Sequence, residues 1–520
     1  MRLAAWMIVA VAAGWLWPAA RAADVHSNGA GGGAWSDPGT WRTRTVPGSN
    51  DVVTVAGDDH VVVDLTDEKR IACKELNVDP RGMLSFKRGA GKIVLNVAGV
   101  VEAYGAIRMD MSRSGEDSAE LRLAGPTPAQ RILRLVRGGS LVAGGRADLP
   151  AGRYNVRLVS GPVPATNAPP VDPMGRLDAM DGTSVDLLRA ELQSLAVTLS
   201  GLDNTGATPN ERASVVGCRF TDRSTLYLYA CDTPLAADNE LVTEAGAGIA
   251  ISVYASTLAE IRGNTIRGPF SDGMVINSSD NMIISNTVEG AGTGLQGHAG
   301  NLMIKHYRAR KCATGYYLVN AVSGVAEDCV ADACSGIAFF VHHTAGLQLI
   351  NSQAINMATN VPTLNANNSV LTFLNCDIAT NQATFVQTPG RTFETQNYLV
   401  VHVAGQVPAG SQVAVITANP DKPIPPGGAD LNVRNSPAAI GPGGWTPLPA
   451  SMAALIVRSW MITADNRRLP PPDYILRVLG PPANTNAPPP VLKEIRVKPA
   501  ADWYRPDPNE RKATVEVTVP

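Results

Sequence analysis

Four glycines at a constant spacing of 21 residues constrain this chain more than any other feature. They occur as Gly273-Met274, Gly294-Leu295, Gly315-Tyr316 and Gly336-Ile337, preceded by Asp272, Thr293, Thr314 and Ser335. Ile283, Ile304 and Val325 keep the same interval, as do Val288, Ala309 and Val330. A repeat this short cannot enclose a core of its own. It buries its apolar face only against the repeats before and after it, so the chain must stack into a solenoid.

The repeats are rich in Gly and β-branched residues and lack a 3.6-residue apolar pattern, so each is a coil of short strands. Asn264, Asn286, Asn351 and Asn375 recur near the ends of apolar runs (RGN, ISN, LIN, FLN), spacing that predicts an internal ladder of stacked amides. Gly248-Ile249 and the earlier "VVGCRF" extend the array upstream. This part resembles the right-handed parallel β-helix repeats of the pectin-lyase-like class. The expected fold is therefore all-β, a right-handed single-stranded parallel β-helix over 186–400. A leucine-rich repeat would need Leu-x-x-Leu-x-Leu spacing, which is missing.

The flanks read differently. Near the N-terminus, "WSDPGTW…VPGSNDVVTVAGDDHVVVD" leads into "KELNVDPRGMLSFKR" and "IVLNVAGVVEAYGAIRM". This order of turn and strand pairs, over 34–125, resembles the eight-glycine domain of extracellular proteins. That family includes hyaluronan-degrading cell-surface proteins and fibrocystin-like receptors, and its domain commonly precedes parallel β-helix repeats. The resemblance implies an N-terminal β-domain over 30–160, followed by a linker at 161–185. Trp35 and Trp41 then pack over the start of the sheet, the alternative being a sugar-stacking platform. At the other end, Pro420 to Pro520 holds 20 of the 38 prolines. Proline removes a ladder donor, so parallel coils cannot continue there. A strand and Pro-rich linker (401–428) and an antiparallel, sandwich-like β-domain (429–520) are expected.

Arg2, the apolar run Leu3–Trp17, Pro18 and Ala20-Arg21-Ala22 have the form of a secretory signal peptide, 1–22, with an uncleaved anchor as the alternative. No later apolar run approaches the length of a membrane span. The expected location is secreted, periplasmic or cell-surface. Charged residues make up 17% of the chain and the net charge is −2, which argues against a nucleic-acid partner. The seven cysteines are an odd number with no CxxC pair. Cys312 and Cys334, 22 apart, lie one position off the 21-residue register and are the best inter-coil disulfide pair. Cys329 and Cys376 lie two coils apart, roughly 10 Å, beyond disulfide reach.

Coils of a β-helix stack about 4.8 Å apart, so residues one repeat apart become neighbours. Alternation after each glycine turns Met274, Ile276, Leu295, Tyr316, Leu318, Ile337 and Phe339 inward. It turns Val275, Asn277, Gln296, His298, Tyr317, Val319, Ala338 and Phe340 outward. Amide, imidazole and aromatic groups on adjacent coils are what a sugar groove uses. The candidate substrate-binding set is Asn277, Gln296, Tyr317, Phe340, Asn301 and His343, with His298 as the candidate acid/base. Another reading is a face covered by a neighbouring domain. Glu289 and Arg310 are expected to pair between coils, and "KHYRARK" at 305–311 reads either as a contact for an anionic polymer or as an edge paired with Glu327, Asp328 and Asp332. The fold points to a protein that binds or degrades extracellular polysaccharide, by lyase or glycosidase chemistry if catalytic. The alternative is a non-catalytic adhesin or structural protein. Lyases of this kind frequently hold Ca²⁺ against an acidic sugar; the sequence assigns no metal ligands here, and "GHAG" at 297–300 lacks the carboxylate pair a polygalacturonase would place beside it.

Overall fold

A computed structural model describes residues 22–67, 71–112, 117–150, 152–161, 174–204, 212–298, 300–321, 323–378, 383–386, 391–418, 430, 432–462, 468–484, 487–499, 503 and 513–520. Residues 1–21, nearly all of the expected signal peptide, and the Pro-rich stretch 419–428 lie outside the described residues.

From Asp24 to Leu399 the chain winds as one parallel β-helix. Most coils contribute a strand to sheet I, then sheet II, then sheet III. Sheet I has 15 strands, from Asp24–His26 to Ala383–Val386, and sheet III has 12, from Ala72–Cys73 to Gln353–Ile355. Sheet II runs from Gly32–Ala34 to Phe393–Leu399. Fourteen inter-strand steps at about 4.8 Å give sheet I a length of roughly 67 Å. No α-helix occurs among the described residues.

Alternation places one apolar side chain from each strand position in a continuous core. Met274, Leu295, Tyr316 and Phe339 form one inward column, and Ile283, Ile304 and Ala326 another. Each large aliphatic side chain buried in this way contributes about 1.5–3 kcal/mol. The core is continuous from Val25 to Phe393.

The solenoid therefore begins far upstream of the expected 186. Strands at Val52–Val55, Glu75–Val78 and Val101–Ala103 already stack in register in sheet I, so the segment 30–160 supplies coils of the same helix and is not a separate domain. The expected linker 161–185 holds Gly175–Ala179 and the start of Ser184–Leu188, both paired with coils on either side. The Gly-rich start is a closure. Asp59 accepts hydrogen bonds from Ser27 Oγ and from the amides of Gly29 and Gly31. Trp35 and Trp41 meet edge to face at 5.2 Å and are fully buried, with Trp41 Nε1 donating to the Trp35 carbonyl. They pack over the first coils and offer no sugar platform.

The 21-residue period holds over only part of the array. Gly273, Gly294 and Gly315 form a column in which an added Cβ would lie 2.7, 2.6 and 2.5 Å from the carbonyl oxygen of the next coil. The next member of that column is Ala338, because Tyr316 pairs with Phe339, 23 positions on. One extra residue enters after Val319 and another before Phe339. Gly336 is thus displaced to the corner, Ala338 turns inward rather than outward, and the half-buried Ile337 precedes the strand. The same insertion puts Ala326 and Ala331 in the inward columns in place of Val325 and Val330.

The amide ladder is present but shorter than expected. Asn239, Asn264 and Asn286 are buried and linked by Nδ2–Oδ1 hydrogen bonds of 2.9 Å. Asn351 and Asn375 sit one position earlier, as the left-handed corner residues (φ 51° and 53°), and bond to each other at 2.7 Å. Asparagine suits the corner because its short side chain tolerates that conformation, and the ladder because its amide both donates and accepts.

All seven cysteines are free thiols. Cys312 and Cys334 follow in-register residues Arg310 and Asp332, so they are coil neighbours, yet no disulfide joins them. Each thiol instead turns into the core toward a backbone carbonyl, Val288 for Cys312 and Ala309 for Cys334. Cys329 and Cys376 are separated by Ser352, in agreement with a two-coil spacing.

The C-terminal part is an antiparallel β-domain with its own core, including Leu399, Val401, Val413, Leu455, Tyr474 and Leu476. Its four-stranded sheet includes Gln412–Thr417, Tyr474–Leu479 and Val491–Val497. Val401–Gly405 pairs in parallel with Val515–Val519, beside the antiparallel pairings of the four-stranded sheet. The strand expected at the start of 401–428 is Val401–Gly405, and it belongs to this domain. Leu455–Ile462 pairs antiparallel with Phe393–Leu399, the last strand of sheet II.

Candidate functional site

The outward face of sheet I carries the candidate residues. Two outward columns follow from the register. The first runs Tyr227, Ser252, Val275, Gln296, Tyr317, Phe340 and Asn365. The second, two residues further along each strand, contains Tyr229, Tyr254 and Asn277, then His298 beside Val319, then His342 and Asn367.

Tyr317 and Phe340 stack in parallel at 4.8 Å, directly behind the inward pair Tyr316 and Phe339 at 4.7 Å. Adjacent aromatic pairs in "GYYLV" and "AFFV" thus supply one ring to the core and one to the surface. His298 lies 5.8 Å from the Tyr317 ring, and its Nε2 is in hydrogen-bonding contact with the Gln296 amide. Burial pushes the His298 imidazolium toward its neutral form. His342 is shifted the same way, by burial and then by its stacked neighbour His343 at 3.9 Å.

Asn277, Gln296, His298, Tyr317 and Phe340 therefore come together on one face. Asn301 opens the sheet II strand Asn301–Lys305, and His343 lies at the corner between sheets I and II. Asn301 donates to Asp280 at 2.7 Å, and His343 sits at φ 52° beside Asn368. The side-chain oxygens of Asn277, Asn365 and Asn367 have no hydrogen-bond partner although they are buried from water. Such orphan acceptors are rare in folded proteins.

Sequence reasoning misses Tyr229 and Tyr254, which stack at 5.4 Å and are each about half exposed. They are 25 residues apart, so a 21-residue scan passes over them; the alternation in "LYLYA" and "ISVYA" is the available signal. It also misses Asn365 and Asn367, on a coil lengthened in the same way.

The basic run 305–311 is a paired edge. Lys305 meets Glu327 at 2.7 Å, His306 meets Asp328 at 3.2 Å, and Arg308 and Arg310 both approach Asp332. Glu289 lies 3.9 Å from Arg310 but is held more closely by Lys311, at 2.9 Å. Among the described residues no group of three or more His, Cys, Asp or Glu side chains is arranged to hold a metal ion.

Residues 247–397 match the family model of a right handed beta helix region. This segment is a right-handed β-helix. It contains the face just described from Ser252 to Asn367. The crystal structure of the Dettilon tailspike protein (gp208) is similar at 11% identity, over 81% of this chain and 72% of that one, with a TM-score of 0.28. Comparison with curated proteins gives no match.

Proposed function

We propose that this protein binds polysaccharide along the outward face of sheet I, outside the cytoplasm. The observation that carries the reading is the Tyr317–Phe340 stack flanked by the His298 imidazole and the Gln296 amide. Sugar rings stack on aromatic faces, and their hydroxyls bond to amides and imidazoles. The leader-like run Leu3–Trp17 supports an exported location.

Binding is favoured over cleavage. A glycosidase needs two carboxyls within roughly 5–9.5 Å. The two outward columns from Ser252 to Asn367 carry none. Asp272 and Asp280 border one coil at opposite ends, and five strand steps from Asp272 to Asn277 alone span roughly 16 Å. His298 serves here as a hydrogen-bonding group of the binding face.

The test is affinity electrophoresis against a panel of polysaccharides, with thermal melts alongside. Tyr317→Ala should weaken binding by about 1–3 kcal/mol, roughly 5- to 150-fold, at an unchanged melting temperature. A lowered melting temperature with intact binding would assign Tyr317 to packing and end the reading. Release of shorter products from any polymer would replace binding with cleavage.

A further inference from the structure

We propose that the ligand of this face is an uncharged glycan, an inference that rests on the binding reading above. Sheet I changes character along its axis. At the N-terminal end its outward column is ionic: Glu102, Arg134 and Asp178 follow one another, with Arg134 and Glu102 paired at 2.7 Å. From Thr198 to Asn367, neither outward column contains Asp, Glu, Lys or Arg. Seven steps of about 4.8 Å make this uncharged band roughly 34 Å long, enough for several sugar rings.

The side chains of the face are neutral hydrogen-bonding groups, among them Gln296, His298 and Asn365. Sugar hydroxyls can donate to such groups or accept from them; a carboxylate or sulfate finds no cation among them. Burying such an anion without a cationic partner is costly. Charged polymers are recognised by Arg and Lys, and Lys305, Arg308 and Lys311, on the same coils as the band, are already paired with carboxylates. Two aromatic platforms on the band, Tyr229–Tyr254 and Tyr317–Phe340, suit a chain lying along the solenoid axis.

The experiment measures retention of the full chain in gels containing neutral polymers (dextran, galactan, mannan, arabinan) or acidic ones (polygalacturonate, alginate, hyaluronan). Retention by a neutral polymer is expected, with affinity changing less than about twofold between roughly 0.05 and 0.5 M NaCl, because screening acts only on charge. Retention by acidic polymers alone, lost at high salt, would overturn the uncharged-ligand inference while leaving glycan binding intact. No retention by any polymer would remove both.

Discussion

Gly294→Ala tests whether the glycine column is a close approach of backbones. An ideal Cβ at Gly294 would lie 2.6 Å from Ala309 Cβ and 2.6 Å from the Gly315 carbonyl oxygen, with Cys312 Sγ at 3.5 Å. Neither of the two closest atoms is the end of a flexible side chain, so the coils themselves must part. Overpacking of this kind costs about 1–3 kcal/mol. The loss of unfolded-state entropy on replacing glycine returns up to about 1 kcal/mol. The net expectation is a destabilisation of about 1–2 kcal/mol, read as a lower urea midpoint at unchanged slope. Gly246→Ala is the control, since its Cβ would meet nothing within 4 Å; it should fall within about 0.5 kcal/mol of the parent. Equal midpoints for the two variants would refute the close-approach argument.

Asn264→Leu removes the centre of the buried amide ladder and leaves Asn239 and Asn286 without their partner; chemical denaturation should register a loss of about 1–3 kcal/mol or more. The thiols should react slowly in the folded protein and completely after denaturation without reductant, because burial pushes Cys329, Cys334 and Cys376 up to about 12; fewer than seven reactive thiols would reveal a disulfide. His298 should titrate below the ordinary imidazole value in an NMR experiment. The sign for stability follows: the unfolded chain binds the proton more readily, so stability is lost as pH falls below that ordinary value, and His298→Gln should reduce the loss. A pH–stability profile unchanged by that substitution would contradict it.

The class of fold is legible because a fixed repeat leaves few physical solutions. What the repeat does not convey is the change in coil length. Ile276, Gly297 and Leu318 are separated by 21 residues each, but Leu228 and Val253 by 25 and Leu318 and Val341 by 23. Corners on the surface accept extra residues at little cost, so nothing in the apolar pattern enforces a constant length. Tyr317 is therefore readable from the repeat, and Phe340 only as an outward residue, since a 21-residue register sets Ala338 beside Tyr317; Tyr229, Tyr254, Asn365 and Asn367 are not. The upstream coils are hidden for a related reason: their strands alternate normally, but the repeat glycines are missing, and the Gly-rich start resembles a separate domain. The spacing correctly sets Cys312 and Cys334 on neighbouring coils, but proximity alone does not decide their oxidation.

The antiparallel pairing of Leu455–Ile462 with Phe393–Leu399 has a meaning for the molecule's behaviour in solution. A stack of parallel strands ends in a row of unsatisfied amides and carbonyls, a template on which another molecule could continue the stack indefinitely. A strand of opposite direction occupies that row at one end, while the buried Trp35 and Trp41 and the Asp59-bound loop close the other. Continuation of sheet II is thereby blocked at its C-terminal edge, and a chain cut after the last coil should be more prone to polymerise end to end.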